Sequence, residues 1–195
     1  RRPFSRRVTP DYWMEKCRST ESVNARATRK TARKMSSALG DAVLMDLRKL
    51  ARIPVVLESV RSLLPSDTWT VHFLHGPHNH QEVRDHPKLA SYIASGGLKL
   101  RRYQLYGEEL DTQPDFHVHD RYIRSPEFWD AFSAPLLLMF EPDSVLCPSP
   151  ALPISHFYDY AFVGAPWGRF PNGFQPNWCF NLEHCIGNSG LSLWR

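Results

Sequence analysis

An unbroken apolar run that ends in an acidic turn constrains this chain most. From Pro135 to Phe140 the sequence reads PLLLMF, and Glu141, Pro142 and Asp143 follow directly. A strand that is apolar on both of its faces is typical of a parallel sheet that helices cover on each side. The run therefore predicts an α/β domain, with two carboxylates at the carboxyl end of one strand.

The rest of the chain supplies the alternating helices and strands that such a domain needs. The apolar spacing from Pro54 to Leu64 predicts one helix, and Ser125 followed by Pro126 predicts the start of another. The predicted strands span 42–47, 69–75, 98–105 and 158–163, and the predicted loops span 106–120 and 164–178. This order indicates a mostly parallel sheet flanked by helices.

Charge divides the chain into two parts. Residues 1–40 hold 11 of the 24 Lys and Arg residues and 3 of the 20 acids, a net +8 against −4 for residues 41–195. We interpret residues 1–40 as a basic, flexible arm and residues 41–195 as the folded domain. The arm could contact nucleic acid, but a solvated leader is the favoured interpretation, and its Arg, Ser and Thr content leaves an organelle transit peptide open. No apolar run approaches the roughly 20 residues of a membrane span.

The acidic turn has a chemical interpretation of its own. Glu141 and Asp143 are two residues apart with Pro142 between them, which can turn both carboxylates outward from the strand end. Carboxylates are hard oxygen ligands that suit Mg²⁺ or Mn²⁺, above all when a substrate diphosphate completes the coordination. A solvated turn accounts for the same residues, and the spacing alone favours it.

Five segments, in order, carry a resemblance to a known family. They are AVLMDLRKL at 42–50, LLPSDTWTVHFLHGPHN at 63–79, RSPEFWDAF at 124–132, LLLMFEPDSVLC at 136–147, and YDYAFVGAPW at 158–167 with GNSGLSL at 187–193. Together they resemble the glycosyltransferase-like domain-of-unknown-function family 5672. The resemblance extends over roughly four fifths of the chain, and its last two signatures combine uncommon residues in a fixed order.

The resemblance implies a GT-A-like, Rossmann-like fold in which a nucleotide-sugar lies across the strand ends. It implies that Asp143 matches the Asp-x-Asp metal position, while Glu141 stands where the family often has Gln. The expected cofactor is Mn²⁺ or Mg²⁺, and the expected activity is sugar transfer to an unknown glycan, protein or small-molecule acceptor. Asp46 and Arg48 could meet the nucleotide, and a salt-bridged strand end is an equal alternative.

Further residues of the family signatures are candidates for sugar contacts and catalysis. Trp167 could stack on a sugar or belong to the core. Gly187, Asn188 and Gly190 would let backbone N–H groups and an amide approach a sugar hydroxyl, although Ser189 stands where the family usually has glycine. Asp159 is the candidate catalytic base.

An alternative function follows from the departures from the family pattern. The chain ends directly after the last signature, whereas the resemblance implies a continuing domain, so we expect a C-terminally incomplete fold. A catalytically silent module that binds a sugar-nucleotide or glycan is the alternative to a transferase. The location stays open between the secretory pathway, if an upstream anchor exists, and the cytoplasm.

Histidines and cysteines suggest two weaker metal sites. His117, His119 and Asp120 resemble a His-x-His fragment, and Cys179, His184 and Cys185 resemble a zinc knuckle. Neither has a second ligand pair at a recognised spacing, so surface or loop residues are the favoured interpretation. Cys179 and Cys185 could also pair with each other, and ordinary thiols are at least as consistent with the sequence.

Overall fold

The structure is a computed structural model that describes residues 38–114, 116–148, 152–165 and 188–195. The predicted arm lies outside these residues except for its last three. The strands are β1 (Gly40–Asp46), β2 (Trp69–His75), β3 (Leu98–Arg102), β4 (Gln104–Leu105), β5 (Glu108–Glu109), β6 (Leu136–Phe140), β7 (Phe162–Ala165) and β8 (Asn188–Trp194). The helices are α1 (Arg52–Leu63), α2 (His80–Arg84), α3 (Pro87–Ala94), α4 (Phe116–Ile123) and α5 (Pro126–Asp130), with a 3₁₀ turn at Ile154–Phe157.

Six strands form one mostly parallel sheet, in the order β3-β2-β1-β6-β8-β7. Strands β3, β2, β1 and β6 are parallel, and β8 is antiparallel to both β6 and β7. The α/β class and the mostly parallel sheet predicted from the sequence are confirmed. No described helix has the length and apolar character needed to cross a bilayer.

The sheet is covered on both faces, as the apolar run in β6 predicts. Successive side chains of a strand point to opposite faces. Accordingly, Ala42 and Leu44 of β1 belong to one buried cluster, whereas Val43 belongs to the cluster on the other face. The first cluster includes the apolar face of α1, and the second includes Tyr122 of α4 and Phe128 of α5.

Three expectations about secondary structure are wrong at their boundaries. The strand predicted at 98–105 ends at Arg102, and a turn with positive φ at Tyr106 and Gly107 joins β4 to β5 as a hairpin. The predicted loop 106–120 therefore contains β5 and the start of α4, a helix of sequence FHVHDRYI in which His, Asp and Arg residues separate the apolar ones. The strand predicted at 158–163 begins only at Phe162, after the 3₁₀ turn.

Cys147 is disulfide-bonded, a pairing that the sequence analysis does not predict. The other cysteines, Cys17, Cys179 and Cys185, lie outside the described residues.

Candidate functional site

The sheet topology creates a crevice between the carboxyl ends of β1 and β6. From β1 the chain proceeds outward through β2 to β3, and then returns to β6 on the opposite side of β1. Ligands of open α/β sheets bind where the strand order reverses in this way. The parallel register pairs Val43 with Met139 near these ends, and the charges of Glu141 and Asp143, which follow β6, act on Arg48, which follows β1. The two acidic motifs singled out in the sequence therefore flank one crevice.

Asp46 and Arg48 form an ion pair on the β1 side of this crevice. Nε of Arg48 donates to Oδ1 of Asp46 at 3.0 Å, and Nη2 donates to Oδ2 at 2.6 Å. The Arg48 backbone N–H also donates to Oδ1 at 2.8 Å. The Asp46 side chain is 1% exposed and that of Arg48 is 54% exposed. The salt-bridged strand end is thus the arrangement observed: the buried Asp46 carboxylate binds the Arg48 guanidinium, and the Arg48 side chain is exposed to solvent.

A tight turn holds the acids on the β6 side. The Ser144 N–H donates to the Glu141 carbonyl at 2.9 Å, which closes the turn. The Glu141 N–H and the Ser144 hydroxyl both donate to the Gly190 carbonyl, at 2.8 and 2.7 Å. The acidic turn and Gly190, which is 46 residues from Ser144 along the chain, are therefore adjacent in space. Gly190 contributes its buried backbone to the support of this turn.

The charges at the crevice influence one another. Partial burial and the negative charge of Asp143 raise the pKa of Glu141, while the positive charge of Arg48 opposes that shift. The hydrogen bonds to Asp46 raise the pKa of Arg48, with a further contribution from the charges of Glu141 and Asp143. Both acids are solvent-exposed. The crevice thus presents two accessible carboxylates beside one cation, a set that can take up a divalent ion and a phosphate together.

Two residues that the sequence analysis missed fix the segment 46–48. Asn79 is 1% exposed, and its Nδ2 donates to the carbonyls of Asp46 and Arg48 at 2.6 and 3.0 Å. Gln113 accepts from the Leu47 N–H at 2.8 Å through Oε1. An Asn at the start of a helix normally predicts a helix cap, so no sequence signal distinguishes this use of Asn79.

The crevice offers a pair of carboxylates as possible ligands of a metal ion. Among the residues that the structure describes, no group of three or more His, Cys, Asp and Glu side chains is placed to hold a metal. Glu141 and Asp143 fit the mode in which one or two carboxylates bind Mg²⁺ or Mn²⁺ and substrate phosphates and waters complete the shell. His117, His119 and Asp120 lie on α4 and form no such group within the described chain, while Cys179, His184 and Cys185 lie outside it.

The other predicted site residues do not all reach the crevice. Asp159 precedes β7, whose first residue, Phe162, is level with the start of β6 through β8. Its neighbour Tyr158 accepts a hydrogen bond from Trp69, the first residue of β2. Asp159 therefore lies at the amino edge of the sheet, about one strand length from Asp143. Asn188 begins β8, and Trp167 and Gly187 lie outside the described residues.

Comparison with known families gives a partial match. The family model named "Protein of unknown function (DUF5672)" matches residues 109–195, which is less than half of the chain. The matched part contains the acidic turn and the Gly-Asn-Ser-Gly segment. No curated protein sequence matches the chain.

Solved structures give a likeness of fold. A mannosyltransferase, PcManGT from Pyrobaculum calidifontis, solved in complex with GDP-Man and Mn²⁺, is similar with a TM-score of 0.51 at 12% identity. The likeness covers 95% of this chain and 51% of that one, so the chain spans about half the length of the transferase. The glycosyltransferase GlyE of Streptococcus pneumoniae TIGR4 is similar with a TM-score of 0.44 at 14% identity, over 81% of this chain and 34% of that one.

Proposed function

We propose that this chain is the donor-binding part of a glycosyltransferase that uses a nucleotide-sugar and a divalent metal ion. The observation that carries the proposal is the crevice itself, where Glu141 and Asp143 face the Asp46–Arg48 pair across the ends of β6 and β1. The likeness of fold to a transferase supports it, as does the match of the acidic turn to the family model. The sugar, the nucleotide base and the acceptor stay open.

The residues at the crevice have distinct roles in this proposal. Arg48 binds a phosphate oxygen of the donor, since Asp46 already orients its guanidinium and the Asp46 bonds use only Nε and Nη2. Glu141 and Asp143 would hold Mn²⁺ or Mg²⁺, which neutralises charge on a diphosphate leaving group when bound. Ser144 and Gly190 keep the acidic turn in place. Sugar transfer then breaks the bond between the anomeric carbon and the diphosphate and forms one to the acceptor.

Thermal shift with Mn²⁺ and a panel of UDP- and GDP-sugars tests the proposal. We expect at least one donor to raise the melting temperature in the presence of Mn²⁺ and not in its absence. Asp143→Ala should abolish the metal-dependent shift because it removes an exposed metal ligand. Asp130→Ala, at an exposed carboxylate that ends α5, is the matched control and should keep the shift. A folded wild-type protein that no donor stabilises would refute donor binding.

A second candidate function is donor binding without transfer. The position of Asp159 at the amino edge favours it, because that residue was the candidate base and does not lie at the crevice. Donor hydrolysis or sugar transfer by the isolated chain would exclude this candidate. Saturable donor binding with neither reaction would support it.

The bonded state of Cys147 supports a location in the secretory pathway. Disulfides persist in oxidising compartments and are rare in the cytosol. If the chain is secreted, Cys147 will resist alkylation in the native protein purified without reductant, and mass spectrometry of the digest will find it cross-linked. Full alkylation of Cys147 in the native protein would argue for a reducing compartment.

A further inference from the structure

The buried amide of Asn79 holds the backbone between β1 and α1 at two carbonyls, beside the bond that Gln113 accepts from the Leu47 N–H. Both hydrogen-bonding ends of the Asn79 side chain are used: Nδ2 donates to the carbonyls of Asp46 and Arg48, and Oδ1 accepts from the Gly76 N–H at 2.8 Å. The chain thus joins the carboxyl end of β1 to that of β2 through one residue. The carbonyls on either side of Leu47 have a common donor, so the direction in which the chain leaves β1 is fixed.

Asn79 does not cap the helix that it precedes, although asparagine commonly does so at this position. It is the N-cap residue of α2, yet its side chain makes no capping hydrogen bond. An Asn cap normally stabilises the helix that it begins. The amide here is instead directed away from the helix and toward the segment 46–48.

Close packing supports the same segment from the β2 side. A Cβ atom placed on Gly76 would lie 3.0 Å from both the Cβ and the carbonyl oxygen of Leu47. Gly76 therefore lets the two loops approach closely enough for Asn79 to span them. Any larger residue at 76 would push Leu47, and with it the backbone of Arg48, away from its position.

We propose that Asn79 is a positioning residue for the donor site, acting through Arg48. This inference rests on the proposed function, in which Arg48 binds a phosphate of the donor. Asn79 itself is buried and touches no ligand. Its role is to hold the backbone of Arg48 so that the guanidinium, bonded to Asp46, faces the acids across the crevice.

A double-mutant cycle tests the coupling. The probe is UDP or GDP with Mn²⁺, and its affinity is measured by titration calorimetry for the full chain. Asn79→Asp keeps the shape but replaces the donating amide with an acceptor that faces two carbonyls, and we expect about tenfold weaker binding, the loss typical of an outer supporting residue. Arg48→Lys should weaken binding on its own. The double variant should bind the probe only slightly less tightly than whichever single variant has the lower affinity, because both changes remove the same contact.

Controls separate positioning from a general loss of folding. Gln81→Ala removes an exposed amide of the same helix and should leave the affinity unchanged. Gly76→Ala leaves Asn79 in place and should also lower the affinity, which keeps the test valid if Asn79→Asp does not fold. Hydrogen exchange of the Leu47 and Arg48 amides should accelerate in Asn79→Asp without ligand.

The outcomes distinguish this inference from the proposed function. If the wild-type protein binds neither nucleoside diphosphate, the proposed function is wrong, and the donor role of Asn79 with it. If the wild-type protein binds and Asn79→Asp binds equally well, only the inference is wrong. Additive losses in the cycle would also overturn it, because they would show that Asn79 does not act through Arg48.

Discussion

The two edges of the sheet each carry an arginine, and the partners of these arginines differ. At the amino edge, Arg61 is 1% exposed and donates to the carbonyls of Trp69 and Leu64, both at 2.6 Å, and of Gly97 at 3.4 Å. At the carboxyl edge, Arg48 is half exposed and bonds a buried carboxylate. A guanidinium whose donors are directed to backbone carbonyls is structural. One that a carboxylate orients toward solvent is available for an anion.

Burial has opposite electrostatic consequences at the two edges. Desolvation lowers the pKa of Arg61, which no carboxylate accompanies among its hydrogen-bond partners. Hydrogen bonding to Asp46 raises the pKa of Arg48. At the amino edge, the buried charge of Arg61 therefore binds three backbone carbonyls. At the carboxyl edge, the charge of Arg48 lies where ligands of α/β sheets bind.

The largest effect should follow from Arg61→Met. The methionine replaces the apolar stem but removes the donor to the buried carbonyls of Trp69 and Leu64, and each buried unsatisfied group costs about 1–3 kcal/mol. We expect the free energy of unfolding in urea to fall by about 3 kcal/mol. Arg52→Met, at an exposed arginine on the same helix, is the control and should change it by less than about 0.5 kcal/mol. Equal stabilities of the two variants would contradict a structural role for Arg61.

Arg48→Lys should produce the next largest effect, and on binding instead of stability. Lysine keeps the positive charge but cannot form the planar fork to Asp46 while it also binds phosphate. We expect the affinity for a nucleoside diphosphate with Mn²⁺ to fall about tenfold, which is 1.4 kcal/mol. Arg61→Lys, once folded, should bind with wild-type affinity. The comparison of the two edges fails if both lysine variants lose the same affinity.

Disrupting a buried hydrogen-bonded pair of β1 and β2 should have a smaller effect on stability. Asp41 of β1 accepts from Nε2 of His72 at 2.9 Å, and both residues are buried. Burial tends to raise the pKa of Asp41, but the hydrogen bond and charge of His72 outweigh it, so the pKa lies below its ordinary value. A lowered pKa means that the contribution to stability is present above the unfolded value and is lost as the pH falls through the folded value.

Asp41→Asn measures that contribution. We expect it to lower the free energy of unfolding by about 1 kcal/mol at pH 7, with a smaller difference from the wild-type protein at pH 3. Asp67→Asn, at an exposed turn, should have no such effect at either pH. A difference between Asp41→Asn and the wild-type protein that stays constant with pH would show that the ion pair is not its cause.

The sequence predicts the sheet well because its signal is local. The uninterrupted run Pro135–Phe140 and the β-rich run Trp69–His75 each indicate a buried strand. The second strand has those bounds, and the first begins one residue later, at Leu136. The sequence does not predict helix α4 because Tyr122 is the one buried residue among the described side chains of the helix, and it contacts Tyr103 and Phe128 from other elements. Its helical state depends on packing that periodicity does not record.

The candidate site also contains residues that the sequence predicts and residues that it does not. Glu141 and Asp143 are detectable because acids directly follow an apolar strand. The support from Asn79, Gln113 and Gly190 depends on hydrogen bonds over 33, 66 and 46 residues, respectively. No short-range pattern contains that information. Asp159 shows the converse, since its motif suggests a catalytic base but its chain position brings it to the opposite edge.

The smallest expected effect concerns the pH dependence of metal binding at the carboxyl edge. The pKa of Glu141 is raised, so on acidification this residue takes up a proton before an ordinary glutamate would, and a protonated carboxyl is a poor metal ligand. In the presence of UDP or GDP, we expect the Mn²⁺ affinity to fall as the pH is lowered from 7.5 to 6.0.

Glu141→Gln should bind Mn²⁺ more weakly at pH 7.5 and should show a shallower dependence on pH, because the amide does not titrate. Since the terminal phosphate of the nucleotide also takes up a proton near pH 6, the informative quantity is the difference between the two proteins at each pH, followed by Mn²⁺ electron paramagnetic resonance. Parallel profiles for the wild-type protein and Glu141→Gln would show that Glu141 does not hold the metal, and would leave Asp143 as the one carboxylate of the acidic turn in that role.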